Sequence, residues 1–202
     1  MKVIPIIAGF IIIVCLFFFF SGCRNNTAKA GNETKKAIQG DTTPAGKEAQ
    51  EAYNGLRDMA LNTTAAQLEL NIAADQVLVY GVVMDWDLGE GIATLVSFST
   101  GDASMYLSSG GGVIGGGPHE NVSRAAKELV HKGQQYLSKM DPTTTTPQPD
   151  KSCVRFYLLT NKGKFYAQEK FANIENKTSA WLPLFEECNK VITELRSAGD
   201  TK

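Results

Sequence analysis

The run VLVYGVVMDW, residues 77–86, is apolar on both of its alternating sets, so as a strand it has no face suited to water. It must be a central strand covered on two sides, and the rest of the chain must supply flanking strands and covering helices. The flanks follow in order. DLGEG offers Gly89 and Gly91 for a tight reversal, IATLVSF reads as a second strand, STGD as a turn and ASMYLSS as a third strand. Farther on, KSCVRFYLLTNKGKFYAQEKF reads as two strands around TNKGK, where Asn161 and Gly163 suit a hairpin.

Three segments have the helical period instead. From Glu48, the residues Ala49, Ala52, Tyr53, Leu56, Met59 and Ala60 recur at helical spacing. Val122, Ala126, Leu129, Gly133, Leu137 and Met140 share a face of a second helix, where the small Ala125 and Ala126 allow close approach to a sheet. A third starts near Ser179 as N-cap, carries Pro183 in its first turn and ends near Gly199. NTTAAQLEL offers Thr63 or Thr64 as the cap of a short extra turn of helix, and DPTTTTPQPD, residues 141–150, reads as an exposed, extended loop.

The order helix, three strands, helix, two strands, helix predicts one α/β (α+β) domain over residues 48–202: a five-stranded, mainly antiparallel sheet with three main helices packed on it. In element order this resembles the roadblock, longin and profilin group of small folds. The resemblance implies binding, scaffolding or dimerisation and carries no functional residue across.

Ahead of the domain, MKVIPIIAGFIIIVCLFFFFSGC has one cation at Lys2, an uncharged run over residues 3–20, and small residues at Ser21 and Gly22. This is the pattern of a targeting segment, with a retained membrane helix as the alternative. FSGC resembles the lipobox of bacterial lipoproteins, with Phe20 where that family usually has an aliphatic residue. The resemblance implies removal of residues 1–22 and acylation of Cys23, whose chains hold the protein to a membrane at about 0.8 kcal/mol per buried methylene. Arg24 stands where that family's inner-membrane retention signal would be Asp. The implied location is therefore the outer membrane of a double-membrane host, or otherwise the outer face of the cell membrane.

Residues 24–47 are polar, lack the apolar surface needed for order, and read, with Cys23, as a flexible tether. They carry five basic and two acidic residues, against fourteen basic and nineteen acidic in residues 48–202. A basic tether adds weak attraction to anionic lipid, whereas an acidic domain argues against a nucleic-acid partner.

The stretch SSGGGVIGGGPHEN contains Gly-x-Gly-x-x-Gly at Gly110, Gly112 and Gly115. A dinucleotide cradle would open a βαβ unit and place an acidic ribose ligand about twenty residues on. Here it follows the third strand of a meander and reaches Gln134 and Gln135 instead, so no cofactor is expected. Gly110, Gly111, Gly112, Gly115, Gly116 and Gly117 read as a joint between sheet and helix. Val113 and Ile114 either fold inward or, with His119 beside them, form a binding loop offered to a partner; anion binding at the following helix N-terminus is a further reading.

Asp85, Asp87 and Glu90 in MDWDLGEG read as turn residues that satisfy local backbone N–H groups, since an EF-hand would need a later Glu; no metal is expected. His119 is the sole reasonable general base, because His131 lies opposite the apolar stripe of its helix, and no Gly-x-Ser-x-Gly elbow surrounds Ser108 or Ser109. Cys153 opens a strand and Cys188 lies on an apolar helix stripe, so the two either bond to each other or remain buried thiols. The expected function is a lipid-anchored cell-envelope protein whose non-catalytic domain binds a protein or envelope ligand. The alternatives are an immunity or inhibitor lipoprotein against a toxin or hydrolase, and an envelope hydrolase using His119.

Overall fold

The computed structural model describes residues 44–73 and 75–199, so the expected signal segment, Cys23 and most of the expected tether lie outside the described residues. The main elements are α1 (Pro44–Leu61), β1 (Val79–Asp87), β2 (Ile92–Phe98), β3 (Ala103–Leu107), β4 (Gly112–Val113), α2 (Glu120–Tyr136), β5 (Asp141–Thr143), β6 (Cys153–Thr160), β7 (Gly163–Lys170), α3 (Phe171–Glu175) and α4 (Leu182–Gly199). The first helix begins ahead of the expected Glu48, at a proline, whose missing N–H costs nothing in a first turn.

The strands form one antiparallel sheet in the order β4-β3-β2-β1-β6-β7-β5, with β1 at its centre as its doubly apolar sequence demands. The sheet has seven strands rather than the expected five. Both additions are short edge strands: Gly112–Val113 from the glycine stretch pairs with β3, and Asp141–Thr143 from the proline loop pairs with β7. Segments of two and three residues carry no readable alternation, and they are recruited because β3 and β7 would otherwise present bare edges. Pro142 is tolerated in β5 because an edge strand has one side without ladder bonds.

Two apolar clusters lie on opposite faces. Under α2 and α4, Val82, Met84, Leu95, Phe156 and Leu158 pack with Val122, Ala126, Leu129, Leu184, Cys188 and Leu195. Under α1, Val83, Val96, Tyr157 and Leu159 pack with Tyr53 and Leu61. The β1–β6 register shifts between Val79 and Gly81. Tyr80 thereby joins Val83 on the α1 face while Val79 joins Val82 on the other. Close approach of α2 requires Gly133, where an added Cβ would lie 2.9 Å from Val82 and 3.0 Å from Leu158.

Helix α1 is rotated from the expected stripe. Tyr53, Arg57, Ala60 and Leu61 face the sheet, whereas Ala52 is exposed and Met59 is 68% exposed. Thr64 caps as expected, with its Oγ1 accepting from Gln67 N and Gln67 Oε1 accepting from Thr64 N, but the segment forms turns rather than helix. Ser179 Oγ accepts from Trp181 N ahead of the last helix, which starts at Leu182. No helix among the described residues is long and apolar enough to cross a membrane.

Candidate functional site

A polar row crosses the α1 face of the sheet. Tyr106, Thr94, Asp85, Arg155 and Gln168 stand directly opposite one another on β3, β2, β1, β6 and β7. Thr94 and Asp85 are fully buried and Arg155 is 8% exposed. Their placement follows from strand period: Asp85 shares its side with Val83, and Arg155 shares its side with Tyr157, so burial of those neighbours carries the charges inside.

Helix α1 completes the row from above. Arg57, about one helical turn from both Tyr53 and Leu61, donates to Asp85 Oδ2 from Nε (3.0 Å) and Nη2 (2.6 Å). Thr94 Oγ1 donates to Asp85 Oδ1 at 2.6 Å, and since its proton is committed there, Tyr53 OH donates to Thr94 Oγ1 at 2.8 Å. Burial works against the Arg57 cation, but its hydrogen bonds and charge attraction to Asp85 outweigh this and raise its pKa. Burial pushes the Tyr53 hydroxyl up to about 12, with the charge of Asp85 acting in the same direction.

The loop after β5 docks on this network through one atom. The carbonyl oxygen of Pro147 accepts from Tyr157 OH at 2.5 Å, Arg57 Nη2 at 3.2 Å and Arg155 Nη1 at 3.3 Å. Beside it, Gln168 Oε1 accepts from Arg155 Nε and from Asp150 N, and Gln168 Nε2 donates to Asp150 Oδ2. The Arg155 guanidinium also lies over the Tyr166 ring, 5.7 Å from its centroid. DPTTTTPQPD is therefore not a free extended loop: its start is a strand and its middle is strapped onto the sheet by polar contacts, although Thr144, Thr145, Pro147 and Gln148 remain exposed.

The sequence reading makes Asp85 a turn residue, yet it and Asp87 belong to β1, where Asp87 Oδ2 accepts from Ser152 N at 2.5 Å. The signal was present: Asp85 and Arg155 each interrupt an apolar strand, and Arg57 interrupts the stripe of Tyr53, Ala60 and Leu61.

The glycine stretch is built into the packing. A Cβ on Gly112 would meet Met105 O, and one on Gly116 would lie 2.5 Å from Leu195 and 2.7 Å from Val122. Gly110, Gly111 and Gly115 adopt positive φ, and Gly117 abuts Asp102. Val113 packs against the α2–α4 cluster, whereas Ile114 is 66% exposed. His119 is exposed at the N-cap of α2 and makes no side-chain cap bond. It precedes a helix on one sheet face, while Asp85 is buried under α1 on the other; Ser108 Oγ accepts from Ile92 N. The structure thus places His119 and Asp85 on opposite sides of the sheet.

Cys153 and Cys188 are both buried free thiols. Of the two alternatives the structure has the unbonded one, with the thiols on opposite faces: Cys188 lies in the α2–α4 cluster, whereas Cys153 alternates away from Val154 and Phe156 toward the side of Asp87 and Arg155. Among the described residues, no three His, Cys, Asp or Glu side chains are grouped as metal ligands. No family model, no curated protein and no solved structure matches this chain.

Proposed function

We propose that this chain is a lipid-anchored cell-envelope protein whose α+β domain binds a protein or envelope ligand without catalysing its conversion. The observation that carries the location is FSGC closing an apolar segment at Cys23, and the polar tether of residues 24–43 would let the domain reach partners near the membrane. On the domain, support for binding over catalysis comes from the separation of His119 from Asp85 and from the commitment of both Asp85 oxygens to Arg57 and Thr94. The exposed Ile114, held between glycines on an edge of the sheet, is the residue this reading offers to a partner.

Expression of Cys23→Ala in a bacterial host tests the anchor. The expected result is an unprocessed precursor without acyl chains; an acylated product of mature length from the variant overturns the reading. His119→Ala tests the non-catalytic part: any turnover of an envelope substrate by the unaltered chain that this substitution abolishes, with the fold retained, overturns it.

A further inference from the structure

Arg155 is a nine-tenths buried cation that forms no ion pair among the described residues. Its cross-strand neighbour Asp85 is engaged by Arg57 and Thr94, and Asp150 meets it through the amide of Gln168. Arg57 thus has a direct carboxylate partner beneath the strap, whereas Arg155 touches only neutral acceptors and meets Asp150 through Gln168. A buried charge compensated only by neutral dipoles is costly, and an anion removes that cost.

The group that fills the position is itself informative. The Pro147 carbonyl has two lone pairs and faces three donors, two of them cationic. A carboxylate oxygen has the same planar geometry, carries negative charge, and brings a second oxygen for the remaining guanidinium N–H groups. We propose that Arg155, Arg57 and Tyr157 form a carboxylate-binding site, closed in this structure by the Pro147 carbonyl acting as a built-in occupant. The ligand is a carboxylate-bearing small molecule or peptide end that displaces the strap of residues 144–149. This deepens the binding reading above and rests on it.

The strap is suited to displacement. Its exposed residues bury little apolar surface, so its closure depends on polar bonds that a competing carboxylate replaces. While the strap is closed, apparent affinity is reduced by the fraction of time the site is open.

Calorimetric titration of the full chain with N-acetylglycine, its amide, and inorganic phosphate tests the proposal. The carboxylate is expected to bind and the amide to fail, and Pro147→Gly with Pro149→Gly is expected to tighten carboxylate binding about tenfold by loosening the strap. Arg155→Met is expected to abolish binding; should that variant not fold, Arg155→Lys, which keeps charge but loses the planar pair of donors, is expected to weaken it about tenfold. Absence of carboxylate binding in both the unaltered and the loosened chain overturns the proposal, as does binding that survives folded Arg155→Met or is unchanged in Arg155→Lys. Phosphate binding as tight as carboxylate overturns the carboxylate assignment. The anchor and the absence of turnover are read in separate experiments, so failure here is distinguishable from failure of the wider reading.

Discussion

Arg57 on the first helix holds the carboxylate of Asp85 on the central strand at 2.6 Å, with the two side chains 6% and 0% exposed. Helix and sheet are thereby joined by a fixed, directional contact inside an apolar layer. Removal of one partner alone leaves a buried unpaired charge, so Arg57→Met is expected to cost about 3 to 5 kcal/mol in urea unfolding. The double variant Arg57→Met with Asp85→Leu is expected to recover much of that loss. A double variant as unstable as the sum of its parts would show that the two side chains act independently.

The glycines fall into two physical kinds that substitution separates. Gly116 is confined by Leu195 and Val122, so Gly116→Ala is expected to cost about 1 to 3 kcal/mol through overpacking, and Gly116→Asn more. Gly111 has open space but φ of 82°, so Gly111→Ala is expected to cost about 1 to 2 kcal/mol, while Gly111→Asn recovers part of it. Equal responses of the two sites to Ala and Asn in thermal unfolding would contradict this division.

Ile114 and Val113 are adjacent but differ in what they touch. Ile114→Ser is expected to leave stability within about 0.5 kcal/mol, since the side chain is 66% exposed. Val113→Ser removes a contact with the α2–α4 cluster and is expected to cost more. Chemical denaturation of both variants checks the order.

Glu169 provides a pH-dependent contact. Burial alone would raise its pKa, but hydrogen bonds from Ser179 Oγ, Asn173 Nδ2 and Lys170 N outweigh this and hold it below the ordinary range. A folded pKa below the unfolded one means that the stabilisation is fully present above the unfolded value and is lost as pH falls through the folded value. The stability advantage over Glu169→Gln is therefore expected to shrink as pH falls below the ordinary Glu value of about 4.3. An advantage that grows on acidification would reverse the assigned sign.

Cys153 and Cys188 are expected to remain thiols under oxidising conditions, because the sheet separates them. Burial pushes the Cys188 thiol far up, so alkylation there is expected only on unfolding. Intact mass after alkylation under native and denaturing conditions reads both outcomes, and a mass two hydrogens lower without reductant would signify the bond.

Much of the architecture was legible from the chain because it rests on local period. The doubly apolar run around Val82 and Val83 demanded a central strand, and IATLVSF matches β2 residue for residue. The face of α2 through Val122, Ala126, Leu129 and Gly133 was equally readable, because all four contacts repeat at helical spacing. The edge strands were not, since Gly112–Val113 and Asp141–Thr143 are strands only by virtue of the partner beside them.

The amino-acid sequence by itself determined the central strand and the order of the long elements, both of which depend on near neighbours in the chain. Only the tertiary structure decided that Arg57, Asp85, Thr94, Pro147 and Arg155 meet, because that depends on strand register, on the rotation of α1 and on where a loop lies down. A charge within an apolar run announces that it needs a partner. Which groups answer it is settled by contacts between residues as far apart in sequence as Arg57 and Pro147.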